Sequence, residues 1–284
     1  MAQIPLSERA NADKASEDEQ RDDRTRQIAD DVAYRQILLA NVVFIGFPHA
    51  GDDNWVLVDA GLPASATDIK SAARARFGGT GRPRAIVMTH GHFDHVGALE
   101  DLTQDWDVPI YAHLREHPYL SGRKSYPPPD PSVGDGLMSL LSPLFPRRPV
   151  DVSRWLRALP DDHSVPPMAD WRWVHTPGHT PGHISLWRES DRLMIAGDAF
   201  ITTRQESAYA AVTQQPEMHG PPMYFTPDWD SAGRSVRALA ALRPDIVVTG
   251  HGQAMRGPQM QAALEDLAAR FDDVAVPHHR KPAS

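Results

Sequence analysis

The stretch AIVMTHGHFDHVG, residues 85 to 97, constrains this chain more than any other. AIVMT is a short apolar, β-branched run of the kind that forms a buried strand. It leads directly into His90, His92, Asp94 and His95, three histidines and an aspartate within six positions. In extended backbone His90 and His92 point to the same side and can converge on one ion. Asp94 and His95 fall where a helix should begin, and can face a second ion. A chance H-x-H-x-D-H would arise in roughly 0.3% of chains of this composition, which sets a solvated surface cluster aside. The chain has no cysteine, so any metal must be held by nitrogen and oxygen.

Around this motif the sequence alternates strand and helix signals. Residues 7 to 27 are almost wholly polar, and residues 1–28 read as a polar N-terminal tail. YRQILLANVVFIGF and NWVLVDAG, separated by PHAGDD, predict a hairpin. PASATDIKSAARARFGG predicts a helix, a second helix begins near Asp94, and PIYAH predicts a strand, which together imply an α/β layered core. Residues 118 to 170 break the rhythm: PYLSGRKSYPPPDPSVGDG is rich in Pro and Gly, and LMSLLSPLFPRRP is interrupted by Pro143 and Pro146. They read as an irregular, lid-like insertion. WRWVHT, ISLWRE, RLMIAGD and DIVVTG predict further strands, and GPQMQAALEDLAARFDDV a closing amphipathic helix. A chain of 284 residues, 41% of them hydrophobic, is expected to form one large domain with insertions. The net charge of −8, without a Lys/Arg block, argues against a nucleic-acid partner. No run approaches the roughly 18 apolar residues of a membrane span, and the start MAQIPLSERA does not resemble a secretory signal. The expectation is a cytoplasmic protein without a membrane partner.

Three later positions extend the constellation. VHTPGHTPGH places His179 in a Pro-Gly-rich turn, IAGDAF places Asp198 after an apolar run, and VVTGHG places His251 in a similar setting. Loops at strand ends are where a rigid α/β scaffold can hold ligands. The ordered set VDAG (with Asp59), THGHFDH, TPGHTPGH, GDA and TGHG is similar to the five motifs of the metallo-β-lactamase-fold hydrolase superfamily. That resemblance implies an αββα sandwich, with residues 29–284 forming the catalytic domain. It implies that His90, His92 and His179 bind a first metal, that Asp94, His95 and His251 bind a second, and that Asp198 bridges the two. It also implies that Asp59 orients a ligand without coordinating. His183, in the repeated PGH, is expected to support the turn through hydrogen bonds. The run QESAYAAVTQQPEMHGPPMYFTPDWDSA resembles a bacterial subgroup of uncharacterised hydrolases, related to hydroxyacylglutathione hydrolases and lactonases.

Such a ligand set suits two divalent ions per chain, zinc first, with iron or manganese also admitted. Two ions about 3.5 to 4 Å apart lower the pKa of a shared water toward 7. The expected activity is therefore that of a dinuclear hydrolase, in which a metal-bridging hydroxide attacks a small carbonyl ester, lactone, thioester or amide. Asp94 and Asp198 are the expected catalytic carboxylates. The alternative is a mononuclear iron sulfur dioxygenase of the same fold, although AFITTRQESA lacks the Gly-Arg-x-Asp pattern associated with that family. LMSLLSPLF, Trp171, Trp173, Met223, Tyr224, Phe225 and Trp229 either line an apolar mouth for a small-molecule substrate or serve as core and lid packing. Tyr209 or Tyr224 is a candidate hydrogen-bond donor to the substrate, and His219 a candidate to approach it. A homodimer is left open.

Overall fold

The computed structural model describes residues 4–6, 23–130, 133, 150–203 and 216–277. The chain divides into two compact units, one comprising Asp13–Tyr126 and Pro146–Trp171, the other Met1–Ala12, Pro127–Phe145 and Arg172–Ser284. A short strand, β1 (Ile4–Pro5), opens the chain.

The first unit is built on a seven-stranded sheet in simple sequence order. Its strands are β2 (Arg26–Ala29), β3 (Val32–Ile37), β4 (Ala40–Ile45), β5 (Val56–Val58), β6 (Ala85–Val87), β7 (Ile110–Ala112) and β8 (Leu156–Ala158). Neighbours from β2 to β5 are antiparallel, and those from β5 to β8 are parallel. Parallel neighbours need a crossover. It is supplied between β5 and β6 by α1 (Ala66–Phe77), and between β6 and β7 by α2 (Phe93–Val96) and α3 (Leu99–Trp106). A further short helix, α4 (His117–Leu120), follows β7. In α1 the buried residues Ile69, Ala72, Ala73 and Phe77 recur at helical spacing, so one face is apolar. Phe77 stacks on Trp55 at 4.4 Å, and Trp106 of α3 meets Trp55 edge-on at 5.9 Å. Burying side chains of this size contributes about 1.5–3 kcal/mol each. β6 lies between β5 and β7, buried along its length, so the loop at its end is held from both sides.

Three local features differ from the sequence expectation. YRQILLANVVFIGF is two strands rather than one, because β3 and β4 turn on Leu38 and Leu39, with Ile37 facing Ala40. No Gly, Pro or Asn marks that turn, and Leu38 adopts a left-handed φ of 56°. The N-terminal stretch assigned to a tail acquires structure before residue 28. Asp23 accepts from the backbone N–H and hydroxyl of Thr25, and the buried Arg76 guanidinium lies 3.8 Å from its carboxylate. Within 118–170, β8 and β9 (Ser164–Val165) are regular strands of three and two residues, too short to show alternation. The apolar run 137–145 lies outside the described residues.

The second main sheet is six-stranded, in the order β15, β14, β12, β11, β10, β9. Its remaining strands are β10 (Met168–His175), β11 (Ile184–Arg188), β12 (Leu193–Gly197), β14 (Ile246–Thr249) and β15 (Met255–Arg256). A separate short strand, β13 (Glu217–Met218), pairs antiparallel with β1. β12 and β14 are parallel neighbours, and the chain between them includes α5 (Trp229–Ala241). Asp228 caps that helix by accepting from Ser231 N at 2.9 Å. The expected closing helix is broken at Arg270 into α6 (Gly257–Ala269) and α7 (Phe271–Val274). Phe200, Val236, Leu239, Leu264, Leu267 and Phe271 belong to the core of the second unit. No described helix is long and apolar enough to cross a membrane.

Candidate metal centre

In the first unit the histidine-rich loop leaves the C-terminal end of β6. Met88 N still donates across the sheet to Tyr111 O at 2.9 Å, and the next residue turns into the site. Asp59, one residue past β5, organises that turn. Its Oδ1 accepts from Thr89 N at 2.8 Å, while Oδ2 accepts from the Thr89 hydroxyl at 2.7 Å and lies 2.8 Å from His95 Nδ1. Asp59 holds a φ of 61°, a conformation that non-glycine residues adopt only where the surroundings over-determine it.

These bonds fix two histidine tautomers. A carboxylate only accepts, so His95 Nδ1 carries the proton and Nε2 the lone pair. The Thr89 hydroxyl spends its hydrogen on Asp59, so at 3.0 Å from His90 Nδ1 it accepts, and His90 Nε2 likewise carries the lone pair. His90, His92, Asp94 and His95 are all buried. Potential ligand atoms of His90 and His92, of His90 and His95, and of Asp94 and His95 lie within 4.8 Å of one another. The start of α2 is pinned from behind, since Ala60 N donates to His95 O and Gly97 N to Gly61 O, both at 2.7 Å. A Cβ on Gly97 would meet the Leu62 and Pro63 backbone at 2.1 Å, so only glycine lets these segments approach.

Two residues that sequence reasoning missed also meet this loop. Gly91 N donates to Glu116 Oε2 at 3.0 Å and to the Tyr126 hydroxyl oxygen at 3.1 Å, and Tyr126 donates to Glu116. Burial, reinforced by the Glu116 carboxylate, pushes the Tyr126 phenol well above its ordinary range, so it remains a donor. Neither residue belongs to a motif, and only long-range structure brings them to Gly91.

In the second unit, three strand ends supply the remaining candidates. His179 follows β10 in the TPGH turn, Asp198 follows β12, and His251 follows β14. Gly250 N donates to Gly197 O at 2.8 Å, so the parallel strands β12 and β14 present Asp198 and His251 together. Asp198 Oδ2 lies 3.3 Å from His179 Nε2 and 3.2 Å from His251 Nε2, with all three side chains buried. Thr226 donates its hydroxyl hydrogen to Pro222 O at 2.7 Å, so at 3.2 Å it accepts from His179 Nδ1. His179 Nε2 therefore turns its lone pair toward the Asp198 carboxylate. Burying two such acceptors against each other is costly unless a proton or cation lies between them.

His183 engages both of its ring nitrogens. Its Nε2 accepts from Asp198 N at 2.9 Å, and its Nδ1, carrying the proton, donates to Thr176 Oγ1 at 2.8 Å. It thus supports the Asp198 backbone from beneath. His219 is buried, its backbone pairs with Ile201 in both directions, and its Nδ1 donates to Gly220 O at 2.9 Å. Tyr224 sits in the core of the second unit with Phe225 packed against it. Trp171 and Trp173 are also buried, and Tyr209 lies outside the described residues.

Comparison with known proteins shows the family and the fold. A family model described as the metallo-beta-lactamase superfamily matches residues 36–251. "Probable metallo-hydrolase YflN" of Bacillus subtilis (strain 168) is 48% identical over 238 residues, covering 84% of this chain and 90% of that protein. A beta-lactamase domain protein from Burkholderia ambifaria superposes with a TM-score of 0.62 at 20% identity, covering 93% of this chain and 81% of that one. The Rm3 metallo-beta-lactamase superposes with a TM-score of 0.58 at 21% identity, covering 95% and 97%. At such identities the two structures speak for the fold alone, which is of the metallo-β-lactamase type.

Proposed function

Because the chain belongs to the metallo-β-lactamase superfamily, we propose that it is a dinuclear metal-dependent hydrolase acting on a small-molecule carbonyl ester, lactone, thioester or amide. In this reading His90, His92 and His179 would hold one ion, Asp94, His95 and His251 would hold the other, and Asp198 would serve both. Imidazoles and carboxylates without a thiolate suit zinc, then iron or manganese. When bound, such ions polarise a carbonyl oxygen and activate water near neutral pH.

The chain's own residues supply the framework. Thr89, Asp59 and Thr226 accept hydrogen bonds from Nδ1–H of His90, His95 and His179, so that each neutral ring offers its Nε2 lone pair in a fixed orientation. His183 holds the backbone of Asp198. Burial of these side chains limits competing water around the ligands. Asp94 and Asp198 are the proposed catalytic carboxylates.

The observation that carries this reading is the Asp198 carboxylate set against two imidazole Nε2 atoms at 3.3 and 3.2 Å, an arrangement a divalent cation resolves. Metal analysis of the purified protein, with a panel of ester, lactone, thioester, β-lactam and phosphodiester probes, tests it. About two ions per chain and hydrolysis of a carbonyl probe is the expected result. One iron per chain with oxygen consumption would establish the sulfur dioxygenase alternative instead. Asp198→Ala is expected to remove both the metal and the activity, and full metal content in that variant would refute the bridging role.

A further inference from the structure

The peptide between His90 and His92 is gripped by side chains to which the metal-binding reading gives no part. Gly91 N–H is shared between Glu116 Oε2 and the Tyr126 hydroxyl oxygen, at 3.0 and 3.1 Å, while the Tyr126 hydroxyl donates to the same carboxylate. The three groups close a ring of hydrogen bonds. Glu116 is fully buried, and a buried carboxylate persists only where donors satisfy it. The Tyr126 ring is itself fixed, stacked on Tyr119 with centroids 3.9 Å apart and planes 4° from parallel. It also meets the His92 ring, with centroids 4.5 Å apart and planes at 62°.

Gly91 fits this grip closely. A Cβ there would lie 2.7 Å from the Tyr126 hydroxyl and 3.4 Å from Leu120 Cδ2. Its φ is outside the left-handed region, so the glycine answers to the approach of Tyr126 rather than to backbone strain.

We propose that Glu116 and Tyr126 are positioning residues for the metal centre, clamping the His90–Gly91–His92 backbone and setting the His92 ring, so that affinity for one ion depends on them. This rests on the proposed metal-binding role of His90 and His92. A ligand pair joined by one residue can rotate about that residue's two soft torsions. Holding the linker before the ion arrives spends that entropy in folding rather than in binding. Groups that orient ligands in this way are worth about 10–100-fold in metal affinity.

The test compares wild type with Tyr126→Phe, Glu116→Gln and Glu116→Ala. Zinc affinity is measured by chelator competition, the cobalt-substituted protein by its visible spectrum, and Gly91 amide exchange in the metal-free protein. Tyr126→Phe keeps the ring stack but removes the hydroxyl. It is expected to weaken one of two zinc sites about tenfold, alter the cobalt spectrum and speed Gly91 exchange, with Tm lowered by a few degrees for the donor lost to the buried Glu116 carboxylate. Glu116→Gln retains an acceptor for Gly91 N–H and is expected to stay closer to wild type than Glu116→Ala. If Glu116→Ala does not fold, Tyr126→Phe decides. Wild-type zinc affinity and cobalt spectrum in Tyr126→Phe would overturn the positioning role while leaving the metal reading intact. A wild-type chain that binds no ion would overturn the metal reading, and this inference with it. The two failures are read on different proteins.

Discussion

The two clusters of candidate ligands, one in each unit, are built in opposite ways. In the first unit, four candidate ligands come from one junction of strand and helix, His90 to His95, and a single side chain, Asp59, ties both the strand end and His95. In the second, His179, Asp198 and His251 come from three separate strand ends. There Thr226 supports His179 and His183 supports Asp198, each serving one ligand. A ligand set held by one hub should fail as a unit, whereas one held by separate supports should fail ligand by ligand.

Asp59→Asn should expose that difference most sharply. Asparagine tolerates the left-handed φ and keeps the side chain's shape. One carboxylate oxygen becomes an NH2, which cannot accept from Thr89 and His95. The variant is expected to lose up to about 100-fold in zinc affinity and about 1–3 kcal/mol in stability for each buried donor left unmatched. Chelator competition and denaturant unfolding measure the two effects. A loss confined to one ion would contradict the hub.

Thr226→Val is the matching lesion in the second unit and should cost less. It removes one acceptor, from His179 Nδ1, and leaves His183 beneath Asp198. About tenfold weaker binding of one ion is expected, with the other unchanged, as read by stepwise zinc titration. Equal weakening of both ions would show that the second cluster is as unified as the first.

The same contrast explains what was legible in the sequence. His90, His92, Asp94 and His95 are contiguous, and strand and helix periodicity alone turns them toward one place. His179, Asp198 and His251 stand out only as polar residues at the ends of apolar runs, and it was the order of motifs that linked them. Asp59 was found by its motif, while the bonds that give it a role run to residues 30 and 36 positions away. Thr226, Glu116 and Tyr126 carry no signal, because their contacts depend on loops placed by the sheets rather than on neighbours in sequence. The turn at Leu38 was hidden for a different reason: leucine stands where turn chemistry would place glycine or asparagine.

That turn also supplies the smallest expected effect, and a control for the others. Leu38 is 74% exposed and holds a φ of 56° in the hairpin between β3 and β4. A left-handed conformation costs an L-residue roughly 1–2 kcal/mol, and so exposed a leucine returns little burial energy. Leu38→Gly removes the strain but adds about 0.5–1 kcal/mol of chain entropy to be lost on folding. The net gain should be a fraction of a kcal/mol to about 1 kcal/mol, raising Tm by about 1 to 4 °C. Neither zinc affinity nor stoichiometry should change, because the turn makes none of the bonds that orient the ligands. A lower Tm would mean that the exposed leucine is held by contacts worth more than its strain. A change in zinc affinity would mean that the β3–β4 hairpin is coupled to Asp59 through β5, and that the first cluster extends well beyond its hub.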